Sequence, residues 1–590
     1  MKHLFIFILL GLCSACSATV SESPCDDTAL DCPTVEADKS GNINQLYKER
    51  TWQRMSKLER KVIQNGIDAD IPIQAAQIKV FGPSEDDAVR SLATKIWIIE
   101  NAQHTIDATY YIFKDDLVGY AMLGAMCNAV KRGVDVRLMV DSVGSFNRTH
   151  KELKGLIACS AEAGFMQDEQ GNLTNKRARV QVVIINSLSK LFVRKNRRSH
   201  DKLLIVDGQF PNLSWVMTGG RNISLDYYGL NEDGTANSNT FKDLEVLLKS
   251  SSNEVTSVSH LAEKYYNLLF LHDGNKQLQQ WLPRDSQKLK AQDSLLQLKA
   301  MNLFNQQYTD IENQLEQGFF AAEVKLAHEL NNLLANGVVY RRQEILNQNP
   351  NSIVSMLEEI TIENPGAKHI KVISPYAFLA EFNSSSSEEY FDGRLAIDKW
   401  LSEDPERTIE VISNSVLTSD NFFAQSIIDI DSVPRALLPP EMIEDWQGRE
   451  LSDEFELADV IQKYSINPRV RFYQLGKIDS ATLGGDKHYG KLHAKAVIVD
   501  NVGFVGTSNL DYRSRLFNNE VGYFYQSEEV STALLDTFNQ LKADSYLWGS
   551  QEWFDMRKLL STLDTTKTST AKKQRKTYHR LNWTGLKWQM

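Results

Sequence analysis

The chain is predicted to be an α/β protein of two related halves, each a mixed sheet flanked by helices, packed with pseudo-two-fold symmetry. Three observations predict it. The stretch His200-Asp201-Lys202-Leu203-Leu204-Ile205-Val206-Asp207 returns in its spacing, His-x-Lys-x4-Asp, at His493-Ala494-Lys495-Ala496-Val497-Ile498-Val499-Asp500. Each copy leads to a glycine-led turn ending in asparagine, Gly219-Gly220-Arg221-Asn222 and Gly506-Thr507-Ser508-Asn509. Around both copies, helical periodicity alternates with short apolar runs, the pattern of a layered fold with a largely buried sheet.

In chain order, residues 1–16 read as a leader and 17–66 as a polar tether, first rich in Ser, Asp, Thr, Glu and Pro, then charged with room for a short helix. The first half is placed at 67–252. Val89, Leu92, Ile96 and Ile99 recur at helical spacing, and 104–113 alternates as a strand. A helix over about 116–132 stops at Arg132-Gly133, a C-terminal glycine signal. Strands follow at 134–141 and 180–185, separated by a helix through Leu153 and Ile157. The first motif is itself strand-like, so His200 and Lys202 share a face. The strand 215–218 returns as a hairpin partner and brings Asn222 back beside them, and 241–248 forms a further strand.

Residues 253–345 are helix-rich and polar and are read as a helical connection. The second half, 346–550, repeats the scheme with strands at 369–376, 408–413, 470–475 and 520–525 and a closing helix near 529–545. The tail 551–590 is basic and aromatic, with Lys572-Lys573, Arg575-Lys576, Trp583 and Trp588. Such a tail is either solvated or in contact with a membrane surface.

The bulk numbers narrow the function classes. A net charge of −11 gives no whole-protein pull on polyanions, so a nucleic-acid substrate would need a local basic groove. A mean hydropathy of −0.35 excludes a polytopic membrane protein. The N-terminus carries Lys2 and a short apolar run from Leu4 to Leu12, too short to span a bilayer as a helix. Leu12-Cys13-Ser14-Ala15-Cys16 resembles a bacterial lipoprotein processing site with Cys16 as the lipidated residue, although the leucine stands one place too far upstream. Cys13 is a second candidate, and plain secretory cleavage near Ala18 is the alternative. All three readings predict export to the periplasm, lipid-anchored in the first two. Cys25, Cys32, Cys127 and Cys159 then lie in an oxidising compartment, where three pairings are open, as is a pair of separate buried thiols at Cys127 and Cys159.

If the two halves converge, two histidines, two lysines and two asparagines meet, a set that suits a phosphodiester. Lys202 and Lys495 neutralise non-bridging oxygens, and the amides of Asn222 and Asn509 donate to developing charge. One neutral histidine attacks phosphorus and the other, protonated, donates to the leaving oxygen. No cofactor or metal is called for. Each histidine needs a carboxylate to fix its tautomer. Glu245 and Glu520 follow their motifs on a neighbouring strand and are the candidates, with Asp243 an alternative to Glu245. Asp207 and Asp500 complete the motifs but sit at the far ends of their strands, which suits a structural role.

These residues resemble the phospholipase D superfamily. The flanking strings AQHTIDATYYIFKDD, GVDVRLMVDS, TGGRNISLDYYG and VGTSNLDYRSRLFNNEVG look like those of bacterial cardiolipin synthases with two motifs. The resemblance covers about 85–545 and implies two phospholipase D-like halves, a membrane glycerophospholipid substrate, and transfer through phosphohistidine to an alcohol or to water. It also implies that His200 is the nucleophile and His493 the general acid, an order the motifs alone do not settle. A nuclease of the same superfamily and a catalytically inert lipid-binding lipoprotein are the competing readings.

Overall fold

The computed structural model describes residues 41–145, 150–186, 197–280, 284–334, 349–379, 381–383, 390–477, 479, 481–483, 485 and 490–590. The leader with Cys13 and Cys16, and the pair Cys25 and Cys32, lie outside the described residues.

Sixteen strands form one continuous sheet. At its centre Gln74–Phe81 pairs antiparallel with Phe320–His328, and Ala76 stands opposite Ala322. Outward from the first of these run Glu245–Ser250, Trp215–Gly219, Lys202–Val206, Thr105–Tyr110, Asp135–Asp141, Val180–Ile185 and Lys276–Gln277. Outward from the second run Val521–Gln526, Val502–Gly506, Ala496–Val499, His369–Ile373, Thr408–Asn414, Val470–Leu475 and Ser545–Leu547. The two series match strand for strand. In both, the three strands after the motif hairpin include two parallel pairs, and every other pairing in the sheet is antiparallel. A pseudo-two-fold axis therefore passes between Ala76 and Ala322.

Period-two alternation divides the apolar side chains between two faces. Leu203, Ile205, Ile498 and Val505 point to one face, where helices Val258–Phe270 and Glu528–Ala543 make a core common to both halves. Leu204 and Val206 face helices Glu85–Glu100, Leu117–Arg132 and Asp285–Ala300. Val497 and Val499 face the separate core of the second half. The helix Leu117–Arg132 ends as its sequence signals, with Gly133 left-handed at φ 103° and the bond from its N–H closing the last turn. Cys127 on that helix is joined by a disulfide to Cys159, with Cα atoms 5.5 Å apart.

Three sequence boundaries need correction. The tether does not extend to residue 66, because Gly41–Glu49 and Lys57–Ile67 are helices, and Arg50 between them is buried in the first half. Its guanidinium meets Asp135 at 2.9 Å, Asp107 at 2.8 Å and Glu263 at 3.1 Å. An isolated arginine in a polar segment gives no periodic signal of this burial. The described part of the connection 253–345 packs against both halves. Its helix Val258–Phe270 covers the shared face, Asp285–Ala300 packs on Leu117–Arg132, and Phe320–His328 is the first strand of the second half. The tail is folded too: helices Gln551–Thr562 and Thr566–Trp583 pack on the second half and bury Trp553, Tyr578 and Leu581.

Removing one partner from a buried ionic cluster strands the others. Arg50→Met is expected to cost about 3–5 kcal/mol of stability, read from the denaturant midpoint. A change within a few tenths of a kcal/mol would mean that Asp135 and Glu263 do not depend on it.

Candidate active site

The motif histidines His200 and His493 stand two and three residues before their strands, at the same end of the sheet. Each is held by the other half. The His200 N–H donates to Asn519 O at 2.9 Å, and Arg198–Ser199 pairs with Asn518–Asn519 as a short parallel ladder. The His493 N–H donates to Lys242 O at 2.8 Å, beside a parallel bridge between Lys242 and Leu492. The carboxylates follow the same exchange. His200 Nδ1 lies 2.9 Å from Glu520 Oε2, and His493 Nδ1 lies 2.7 Å from Asp243 Oδ2. A carboxylate at Nδ1 holds the proton there and leaves Nε2 as the second ring nitrogen.

Glu245, expected to orient His200, does not do so. The ladder places Gly219 opposite Glu245 but Gly506 opposite Gly522, so the counterpart of Glu520 is Asp243 and that of Glu245 is Gly522. Glu245 is the first residue of its strand, and the chain before it leaves the sheet to run beside 491–493 of the other half. The carboxylate of Glu245 is buried instead against Lys95 Nζ at 2.5–2.6 Å and the Ser91 hydroxyl. Glu520 does contact a motif histidine, but across the halves. Its second partners are Thr507 Oγ1 at 2.6 Å and Ser514 Oγ at 2.8 Å.

Lys202 Nζ donates to His200 O at 2.6 Å, and Lys495 Nζ donates to His493 O. Burial, then the charge of Lys495, brings Lys202 down to about 7. Burial brings Lys495 down to about 8 against the pull of Asp243. Burial and the two lysines hold His200 well below its ordinary value. His493 is lowered by burial and Lys495, while Asp243 opposes the shift. The two carboxyls differ. Burial tends to raise Asp243, yet His493 and Lys495 hold it at about 2, whereas burial prevails over Lys202 at Glu520 and raises it.

Asn222 Oδ1 accepts from Ile112 N at 2.9 Å and its Nδ2 donates to Tyr227 Oη at 2.9 Å. Asn509 Nδ2 donates to Asp511 Oδ2 at 3.2 Å. An amide NH2 carries two donors, so each of these bonds uses one of the two. Asp207 and Asp500, grouped with the motifs by spacing, lie away from the histidines. Asp207 accepts the N–H groups of Gln103, His104 and Thr105 at 2.7–2.9 Å, and Asp500 accepts that of Lys368 at 2.9 Å. Both are left-handed, with φ of 51° and 52°, a conformation Asp tolerates at tight turns. Arg221, the residue before Asn222, lies in the interior. It is fully buried, and its Nη2 donates to Gly82 O at 2.6 Å and Asp243 O at 2.8 Å.

Aromatic rings complete the walls, and sequence reasoning passed over them. Tyr111 meets the His200 ring edge-on with centroids 4.9 Å apart, and Tyr227 and Phe241 meet His493 at 5.3 and 5.4 Å. Arg513 adds a further positive charge felt by His200 and Tyr111. The available signals were the doubled tyrosines at 110–111 and 227–228 and the arginine just past Asn509. Among the described residues no group of three or more His, Cys, Asp or Glu side chains is arranged to hold a metal ion.

Residues 96–240 match the family described as the cardiolipin synthase, phospholipase D-like domain. The stretch that holds the first motif is thus similar to phospholipase D-like domains. Cardiolipin synthase C of Escherichia coli K12 is 32% identical over 172 residues, covering 28% of this chain and 30% of that one. The major cardiolipin synthase ClsA of Bacillus subtilis 168 is 32% identical over 133 residues, 22% of this chain and 23% of that one. The matched segments thus span less than a third of these curated relatives. Among solved structures, phosphatidylserine synthase of Haemophilus influenzae Rd KW20 aligns over 89% of this chain and 98% of its own, at 13% identity and a TM-score of 0.49. The superfamily match holds the first motif, and the second lies beyond it, in the half that the pseudo-two-fold axis relates to the first.

Proposed function

We propose that the protein is a phospholipid phosphodiesterase or phosphatidyltransferase working through phosphohistidine, of the cardiolipin synthase or phospholipase D kind. The observation that carries the reading is the pair of histidines, each with Nδ1 on a carboxylate of the opposite half and a lysine two residues on. His200 Nε2 attacks phosphorus while Lys202 and Lys495 neutralise the non-bridging oxygens. The bond from phosphorus to the leaving alcohol breaks, and that oxygen takes the proton of His493. The deprotonated His493 next accepts a proton from the incoming hydroxyl, which attacks phosphorus and releases His200. Asp243, held ionised, suits the histidine that must carry positive charge, and Glu520 suits the one that works neutral.

A glycerophospholipid donor is favoured by the family match and by an apolar cavity of ≈ 200 Å³ on the second half. It is lined by Val372, Val411, Phe472 and Val497, with Ser508 and Asn509 in its wall. Export and lipidation at Cys16 rest on the leader sequence; no described helix is long and apolar enough to cross a membrane. Incubation with phosphatidylglycerol, followed by mass spectrometry of the products, tests the function. Cardiolipin supports the transferase and phosphatidic acid the hydrolase; no lipid product, with cleavage of nucleic acid instead, overturns the reading.

The site also sets a pH dependence. An anionic phosphodiester binds the charged lysines, which burial brings to about 7 and about 8. As pH rises through these values the cations are lost, so KM is expected to climb by up to about tenfold per pH unit between ~7 and ~8, and more steeply above ~8. Lys495→Arg keeps its charge and should flatten the rise; an identical profile for this variant would remove Lys495 from phosphate binding.

A further inference from the structure

The helix Thr566–Trp583 carries six cations, Lys567, Lys572, Lys573, Arg575, Lys576 and Arg580, and no carboxylate, on a chain whose net charge is −11. Its inner face is accounted for. Gln574 donates to Asp429 at 2.6 Å, Arg575 pairs with Glu454 at 2.9 Å, and Tyr578 donates to Asp431 at 2.9 Å. Its outer face is not. Lys572, Lys573, Lys576 and Arg580 are exposed, follow one another as a single stripe at helical spacing, and have no described side-chain partner. The stripe runs into Trp583, 88% exposed, and Leu586, 48% exposed. Tryptophan at the end of a basic helical face, with a leucine beside it, is the composition of a surface that rests in the interface of an anionic bilayer.

The position of the helix matters as much as its composition. At its start Lys567 Nζ donates to Ser419 O at 2.8 Å and feels the charge of Lys491. Lys491 Nζ lies 5.1 Å from the centroid of the Phe241 ring, which stands against His493. Past its end, Met590 O accepts from Arg513 N at 2.8 Å, and Trp588 packs on Tyr512 with centroids 4.7 Å apart. Tyr512 and Arg513 stand three and four positions after Asn509. The helix is therefore tied at both ends to segments that frame the two histidines.

We propose that the outer face of this helix, Lys572, Lys573, Lys576 and Arg580 with Trp583 and Leu586, docks the protein on a bilayer of anionic phospholipid and presents the active-site mouth to it. The proposal rests on the phospholipid reading above. Charge complementarity selects the partner: four unpaired cations and an interfacial aromatic meet a negative surface, and each basic side chain near such a surface adds severalfold to binding.

The test uses the full chain, wild type and a variant with Lys572, Lys573, Lys576 and Arg580 changed to Gln and Trp583 to Ser. Co-sedimentation is measured with vesicles of phosphatidylglycerol and phosphatidylcholine, or of phosphatidylcholine alone. Turnover is measured on those vesicles and on monomeric dihexanoyl phosphatidylglycerol. The expected result is selective binding of wild type to the anionic vesicles and loss with salt. The variant should lose at least about tenfold in vesicle binding and vesicle turnover, with dihexanoyl turnover unchanged. Equal binding by the variant, equal binding to both vesicle types, or a parallel loss on the monomeric donor overturns the docking surface. Binding of duplex DNA in place of vesicles also overturns it. Failure of wild type on both donors counts against the phospholipid reading itself, and the vesicle binding data then judge the surface separately.

Discussion

His200→Ala is expected to lower turnover by about 10⁴-fold or more, and His493→Ala by a comparable factor at neutral pH. The reason lies in what each ring offers. His200 is kept neutral by burial and by two neighbouring lysines, so its Nε2 lone pair is available for attack. Without it the site loses the neutral ring that stands beside Lys202 and Lys495. His493 is needed as an acid, and the loss should depend on the leaving group. A donor whose alcohol leaves without protonation, such as a p-nitrophenyl phosphodiester, should recover much of the rate of formation of the covalent intermediate in His493→Ala and none in His200→Ala. Equal recovery in both variants would show that the two rings share one role. The double variant should be no slower than His200→Ala alone, because residues that act as a unit are not additive.

The second large effect separates two neighbouring carboxylates that the sequence presents almost alike. Asp243→Asn is expected to reduce turnover by roughly 10²–10⁴-fold with little change in stability, since the amide cannot stabilise protonated His493 as the carboxylate does. Glu245→Gln should behave in the opposite way. It leaves Lys95, buried and at about 8, without its counter-charge. The expected cost is about 3–5 kcal/mol of stability, with turnover per folded molecule close to wild type. Steady-state kinetics and denaturant unfolding on the same preparations decide the matter. A folded Glu245→Gln protein without activity, beside an active Asp243→Asn protein, would restore the assignment drawn from motif order.

That assignment shows where sequence stops being informative. The repeat of His-x-Lys-x4-Asp is carried by one short, continuous stretch of chain around a strand, so period-two alternation and the glycine turn were enough to recover both hairpins. The carboxylates are set by register between strands distant in the chain. Glu245-Val246 and Glu520-Val521 look equivalent as text, yet the ladder makes Glu520 the partner of Asp243, because the chain at 241–244 leaves its own sheet for the opposite half. Pairing across 250 or 320 residues leaves no periodic trace. The same limit hid Arg50, whose three carboxylate partners come from two strands and a helix of the first half. Composition misled at the C-terminus, where a basic, polar string turned out to have one buried and one exposed face. The sharing of the site between halves has a consequence for stability: each histidine is anchored by main chain from the other half, so neither half is expected to hold a formed site alone.

The most direct measurement of the central claim, two halves completing one phosphodiester site around His200, is covalent trapping. His493→Ala protein is mixed with phosphatidyl-p-nitrophenol, whose alcohol leaves without protonation, then quenched in alkali-stable conditions, digested and mapped by mass spectrometry. The expected result is a phosphatidyl adduct on the peptide containing His200, formed with release of p-nitrophenol and absent when His200 is also changed to Ala. An adduct on any other residue, or p-nitrophenol release with no adduct formed, would contradict the shared site.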